Sequence, residues 1–397
     1  MGMPQDLPSP LAIAADLIRC PSVTPDEGGA LDLLERLLAP AGFACHRLPF
    51  TSRGMPTIDN LFARTGGGLP HLCFAGHTDV VPPGEPTLWS HPPFGGEVAD
   101  GYLFGRGAVD MKGSIACFVV AALGFISDPA RLGQGSISLL ITGDEEGSAV
   151  DGTVKVLEWM AAHGHTPTAS LVGEPSNPVA LGDAIKIGRR GSLRGRLLVR
   201  GKQGHVAHPH LANNPMRGLV RVASALYALR LDDGTAVFSP SNLEIVAIET
   251  GNPTYNVIPV ASELRLNVRF NDRHTAASLQ ALIRREAEAA LAGSGLTLEA
   301  MFESNADVFV TKPGPLVETM VAAIHAETGR APELSTSGGT SDARFIKDYC
   351  PVIEFGLVNK TIHAIDERVP ISDLERLTLI YRAFLERFFA TAPSSVA

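Results

Sequence analysis

Apolar runs that end in carboxylates or imidazoles recur along this chain, and they narrow the folds open to it more than any other feature. Ser136-Ile-Ser-Leu-Leu-Ile141 leads into Thr142-Gly-Asp-Glu-Glu-Gly147. Phe74-Ala-Gly-His-Thr-Asp79 closes an earlier run, Glu174 follows Ser170-Leu-Val-Gly173, and a late His363 follows Pro351-Val-Ile-Glu-Phe355. Asp110 sits in Gly105-Arg-Gly-Ala-Val-Asp-Met-Lys-Gly113. Adjacent charged groups at the end of a buried strand are costly unless something pairs with them. Open α/β sheets place their sites at strand ends. A sheet that gathers these groups around a hydrolytic metal centre is the economical explanation.

The order of elements agrees with such a sheet. Strand-like runs lie at 59–64, 71–76, 136–142, 169–173 and 181–187, and helical periodicity covers 8–20, 28–41, 112–127 and 149–163. This alternation predicts an α/β layer with a mainly parallel central sheet. After residue 188 the texture changes. Ser192–Gly201, Ser241–Thr250 and Ser262–Phe270 alternate with period two, between helical stretches at 212–230 and 275–292. Such alternation predicts an antiparallel sheet with one exposed face. From 304 the first pattern returns and ends in a helix over 371–390; the last residues, Ala392–Ala397, are expected to fray. The fold class is therefore α/β: a domain of residues 1–188 and 304–397, interrupted by a smaller inserted α+β domain of residues 189–303.

Composition excludes several classes. Of 397 residues, 45% are hydrophobic and 19% charged, which suits a globular chain. A net charge of −9 without any basic stripe excludes a nucleic-acid surface. The five cysteines form no Cys-x-x-Cys pair, so neither a zinc knuckle nor a disulfide framework is readable. No apolar run approaches the roughly 20 residues of a membrane span, and Met1–Pro8 lacks a basic leader. A cytoplasmic protein without a membrane partner is expected.

Each chemical residue also has a plain reading. His77 and Asp79, two apart at a strand end, suit a ligating imidazole oriented by a carboxylate, or equally a satisfied loop histidine. Asp110 alone would be a helix N-cap. Glu145 and Glu146 point apart, so one can ligate a metal while the other serves as general base toward a bound water; the bland alternative is an acidic first helical turn. Glu174 alone is a loop carboxylate, and His363 a lone histidine.

Together and in this order, the segments resemble the co-catalytic zinc amidohydrolases that include aminoacylases and carboxypeptidase G. That family carries His-x-Asp, Gly-Arg-Gly-x-x-Asp-x-Lys-Gly, Glu-Glu, a further acid and a distant His. The resemblance covers nearly the whole chain, including Trp89 to Gly113 and the inserted domain. It implies a zinc-peptidase-like catalytic domain with an inserted lid and dimerisation domain. It further implies two Zn²⁺ per subunit, with Co²⁺ as a possible substitute, held by His77, Asp110, Glu146, Glu174 and His363. Asp110 would bridge the ions, Asp79 and Glu145 would be catalytic with Glu145 as acid/base, and a cis peptide is expected just after Asp110.

Longer segments are most similar to members that act on N-succinyl amino acids. They are Arg189-Arg-Gly-Ser192, Gly201–Ala212, Asn256-Val-Ile-Pro259, Asn267-Val-Arg-Phe270, Ser335–Phe345 and Phe355–His363. The resemblance implies a homodimer in which His205 reaches the site of the partner subunit and polarises the scissile carbonyl. It also implies that Arg189, Asn256, Arg269, Gly339 and Thr340 grip the substrate's carboxylates, a task suited to bidentate arginine. Two departures stand out: His208 where relatives carry Tyr, and Ala364-Ile-Asp-Glu-Arg368 where Lys/Gln-Val-Asn-Glu-Cys is usual. Lying off the ligands, they bear on substrate preference.

Three other functions compete. Deacetylases or general aminoacylases share the chemistry, but their substrates lack the succinyl carboxylate. A non-catalytic binding protein on this fold would have lost a ligand or Glu145, and none is lost. A dinucleotide enzyme fails because Gly105-Arg-Gly107 lacks the third glycine at the required spacing.

Overall fold

Ser136–Thr142 and His71–His77 are strands whose seven residues are all buried. An unbroken apolar run is what a strand covered on both faces requires, and these two lie in the middle of an eight-stranded sheet. The structure, a computed structural model, describes residues 8–133 and 135–391; the stretch 392–397, expected to fray, lies outside them. Two units divide the chain: Met1–Ile187 with Thr311–Ser335 and Ser341–Ala397, and Gly188–Val310 with Thr336–Thr340.

In the first unit the sheet order is Ala44–Arg47, Leu61–Gly66, Ser136–Thr142, His71–His77, Ala169–Val172, Val352–Glu354, Ala184–Lys186, Glu333–Ser335. His71–His77 runs parallel to both of its neighbours, and Val352–Glu354 continues parallel to Ala169–Val172. Leu61–Gly66 and Ala44–Arg47 are antiparallel additions on one flank. Helix Lys112–Ile126 is buried on nearly every side, as expected of a helix apolar all round. Helices Pro10–Ile18 and Ile371–Thr391 pack on it. Phe118 stacks on Phe74 of the sheet at 4.1 Å between ring centroids, and the buried Tyr381 hydroxyl donates to the Phe355 carbonyl at 2.6 Å.

Several expected elements are shorter than their sequence runs, two of them where an aspartate folds the preceding stretch. The helix expected from 149 begins at Thr153. The Asp144 carboxylate accepts the backbone N–H groups of Ser148, Val150 and Asp151 at 2.9, 2.9 and 3.1 Å, which folds that stretch into a loop. The strand expected from 181 begins at Ala184. Gly182 there has φ +93°, and Asp183 accepts the Ala180 N–H at 2.6 Å, so the chain turns before it extends.

The second unit is a four-stranded antiparallel sheet in the order Asn242–Glu249, Ala261–Phe270, Gly191–Arg200, Thr297–Ala306. Helices Pro215–Tyr227 and Ala276–Leu291 supply Leu219, Val222, Leu279 and Ile283 to a core shared with Leu193, Leu197, Val199, Leu264, Leu266 and Val268 of the strands. The opposite face carries the ion pairs Arg196–Glu263, Arg200–Glu299 and Arg265–Glu249. Strand Thr297–Ala306 was not anticipated, although Leu298, Ala300 and Phe302 pack toward this core in the same period-two pattern. Phe309 then pairs with Arg189. Among the described residues no helix is long and apolar enough to cross a membrane.

Candidate metal centre

The sheet of the first unit delivers its polar strand ends to one place. His77, the last residue of its strand, is buried, with Nε2 3.1 Å from Asp110 Oδ1 and 3.7 Å from Glu174 Oε1. His363 Nε2 lies 2.8 Å from Glu146 Oε1 and 3.2 Å from Asp110 Oδ2. Asp110 therefore presents one oxygen to each imidazole. Ligand atoms of His77, Asp110 and Glu174 lie within 4.8 Å of one another, and so do those of Asp110, Glu146 and His363. A third such group joins His77, Glu145 and Glu146.

The plain readings of three residues do not survive. Asp110 caps nothing: the N-cap of helix Lys112–Ile126 is Met111, without a side-chain cap, and the Asp110–Met111 peptide is cis. Glu145 and Glu146 lie in a turn, eight and seven residues short of the helix that opens at Thr153, so no helix dipole accounts for them.

Asp79 lies beside the imidazole, but its backbone makes the closer contact. His77 Nδ1 lies 2.9 Å from the Asp79 carbonyl, and the carboxylate stands 3.7 Å away. That carboxylate instead accepts the N–H groups of Glu145 and Glu146 at 3.3 and 3.1 Å, and the Thr24 hydroxyl at 2.7 Å. Asp79 thus holds the turn that carries both glutamates. Nothing in the sequence pointed to Thr24.

Charge in the cluster is unbalanced. Burial pushes Glu145 up to about 8, with the Asp342 carboxylate adding to the rise. Burial, then the charges of Asp110 and Glu145, holds Glu174 well above its ordinary range. Burial opposes charge on Asp110 too, but hydrogen bonds with His363 and His77 hold it well below the usual carboxylate range. His363 is raised to about 10 by its hydrogen bonds to Asp110 and Glu146. Burial disfavours charge on His77 as well, yet the Asp110 hydrogen bond and the neighbouring carboxylates raise it. Four carboxylates and two imidazoles crowd together in the three groups. Cations relieve that crowding, and oxygen with imidazole nitrogen is a donor set that suits zinc and related divalent ions. The residues present fit a two-ion centre with Asp110 common to both halves.

The other candidate residues all lie in the second unit. Arg189 is buried and its Nη1 donates to the Gly339 carbonyl at 2.8 Å. Gly338, at φ +109°, leaves room for that guanidinium: a Cβ there would stand 2.5 Å from Arg189 Nη1. Thr340 follows on the same segment. His205 is exposed, its short strand Gly204–His205 pairs with Val257–Ile258, and the Asn256 carbonyl accepts the Val206 N–H at 3.1 Å. The Ala207 N–H donates to His205 Nδ1 at 3.1 Å. Arg269 is half-buried on strand Ala261–Phe270, and burial, with Arg190 and Arg194 nearby, lowers it below the usual arginine range. The structure thus joins Arg189 to Gly339 and His205 to the Asn256 segment, and places Arg269 on the sheet.

Residues 73–387 match the family described as Peptidase family M20/M25/M40. A protein of Rhodopseudomonas palustris (strain BisB18) named succinyl-diaminopimelate desuccinylase is 58% identical, over 98% of this chain and 100% of its own length. A protein of the same name from Methylorubrum populi is also 58% identical, over 96% and 99%. Among solved structures, aminopeptidase PepT from Bacillus cereus shares the fold with a TM-score of 0.79 at 19% identity, covering 97% of this chain and 99% of that one. A dinuclear metal-binding peptidase of the M20 family from Bacillus subtilis shares it with a TM-score of 0.71 at 19% identity, covering 96% and 97%.

Proposed function

Because the chain belongs to peptidase family M20/M25/M40, we propose that it is the metal-dependent amide hydrolase that converts N-succinyl-LL-2,6-diaminopimelate and water to succinate and LL-2,6-diaminopimelate, on the route to lysine. The observation that carries this reading is full-length identity of 56–58% to relatives named for that activity. The convergence of Asp110 with two separate ligand groups supports the chemistry.

His77, Asp110 and Glu174 would hold one ion, and Asp110, Glu146 and His363 the other. Zinc is the proposed metal, with cobalt as a substitute. When bound, two such ions supply polarisation of the amide carbonyl and a lowered pKa for water. Glu145 then has the protonic role. Its carboxylate takes a proton from the attacking water as the new C–O bond forms, and returns one to the amine nitrogen as the C–N bond breaks. Burial makes the Glu145 carboxylate a stronger proton acceptor than an exposed one, and cations on the neighbouring ligands would favour its ionised form. Asp79 positions Glu145 through its backbone N–H.

Arg189, Arg269, Asn256, Gly339 and Thr340 are assigned to the substrate's carboxylates. The chain is assigned to a cytoplasmic homodimer joined through the inserted domain, with His205 completing the site of the partner subunit. Support comes from the Ala207 N–H on His205 Nδ1, which leaves Nε2 for the scissile carbonyl. Metal analysis coupled to an activity screen over N-acyl amino acids tests the proposal. Two divalent ions per chain with turnover of the succinylated diaminopimelate support it; a protein without metal or without amidase activity contradicts it.

A further inference from the structure

Glu367 belongs to none of the candidate ligand groups, yet it is fully buried and both carboxylate oxygens are taken. Oε2 accepts from Arg106 Nη1 at 2.7 Å and from the Gly107 N–H at 3.0 Å. Oε1 accepts from the N–H groups of Val109 and Asp110 at 2.8 and 3.1 Å. The Glu367 backbone carbonyl accepts the Gly105 N–H at 2.9 Å. Arg106 completes the tie in the other direction. Its Nη2 donates to the His363 carbonyl and its Nη1 to the Ala364 carbonyl, both at 3.3 Å, and its guanidinium lies 5.2 Å from the centre of the Trp89 ring.

These partners are not scattered through a core. Every donor to the Glu367 carboxylate comes from residues 106–110, which end in Asp110, and the carbonyls that Arg106 reaches are those of His363 and its neighbour. His363 itself has φ +57°, a conformation that a non-glycine residue keeps only where its surroundings hold it. The segment 364–368, expected to lie off the ligands, therefore bonds directly to the backbone of one of them.

Resting on the reading of these residues as a metal centre, we propose that Arg106 and Glu367 form a positioning clamp that sets Asp110 against His363, so that the half-site of Asp110, Glu146 and His363 is assembled before an ion enters. Charge-assisted hydrogen bonds to a buried carboxylate are short and directional, and partners outside the ligand set commonly fix ligand orientation. A pair serving only the fold would move stability and leave metal affinity alone.

The test uses the full-length protein and zinc alone. Glu367→Gln and Arg106→Lys are titrated with zinc against a competing chelator, at a temperature where circular dichroism shows each variant folded, so that a lower Tm by itself cannot move the affinity. Glu367→Gln turns an amide N–H₂ toward backbone N–H donors and should weaken binding of at least one ion by about 10–100-fold. Arg106→Lys keeps the charge, loses the fork and should shift affinity in the same direction. Unchanged affinity for both ions in the folded variants overturns the clamp. So does failure of both variants to fold, because the pair would then hold the fold rather than the site. If the native chain binds no zinc, the metal-centre reading falls instead, which separates the two failures.

Discussion

Glu145→Gln removes one proton acceptor and leaves the shape of the site in place. The contacts that hold this turn are backbone N–H groups on the Asp79 carboxylate, at 3.3 Å from residue 145 and 3.1 Å from residue 146, and the substitution does not touch them. Neither half-site built on Asp110 includes Glu145, whereas Glu146 lies 2.8 Å from His363. Metal content should therefore stay at the native level while kcat falls. General acid–base catalysis contributes about 10²–10⁴-fold, so the barrier should rise by about 3 to 5 kcal/mol. Glu146→Gln should lose metal as well as rate. Mass-spectrometric metal analysis beside steady-state kinetics reads both quantities. Equal metal loss in the two variants, or near-native turnover in Glu145→Gln, would refute the division of roles. A pH signature follows from the same residue. Its folded-state carboxyl keeps a proton to about 8, against an ordinary 4.5 in the unfolded chain. The folded protein therefore binds the extra proton across that window, and Glu145 lowers stability as pH rises through it. In chelator, the Tm gained by Glu145→Gln should be absent near pH 4.5 and grow toward pH 8.

Asp110→Ala should abolish activity more completely than loss of either histidine, because it strips a ligand from both half-sites; near-native turnover with two ions per chain would sink the bridging assignment. Mixing inactive His205→Ala chains with inactive Glu145→Gln chains should restore activity if His205 serves the partner's site, and no recovery after verified subunit exchange would count against it. Arg269→Ala should lower kcat/KM by about 2–5 kcal/mol with metal content unchanged, as expected when a buried charge-assisted contact is lost. Intact kinetics would return this arginine to an ordinary strand charge.

The parallel centre of the sheet was legible because His71–His77 and Ser136–Thr142 are apolar throughout, a signal that covered strands alone produce. Element starts were less legible, because Asp144 and Asp183 spend their carboxylates on nearby N–H groups and delay the helix and the strand that follow. Strand Thr297–Ala306 carries a readable alternation, but only five residues separate it from the end of helix Ala276–Leu291, which blurs the change of period. In the site, residues at strand ends announced themselves by their type. The groups that hold them did not. Thr24 acts through Asp79, Asp342 through its charge on Glu145, and Glu367 through backbone N–H groups, and contacts made across 55 to 260 residues leave no local pattern. Asp79 shows the same limit: its position was plain, but whether its carbonyl or its carboxylate meets His77 is a matter of backbone geometry.

The most direct measurement is succinate release from N-succinyl-LL-2,6-diaminopimelate by the zinc-loaded protein, compared under identical conditions with acetate release from N-acetylornithine. The account predicts rapid turnover of the succinylated substrate, abolished by chelator and restored by zinc, with a much lower kcat/KM for the acetylated one. Equal turnover of both, or preference for the acetyl amide, would contradict it.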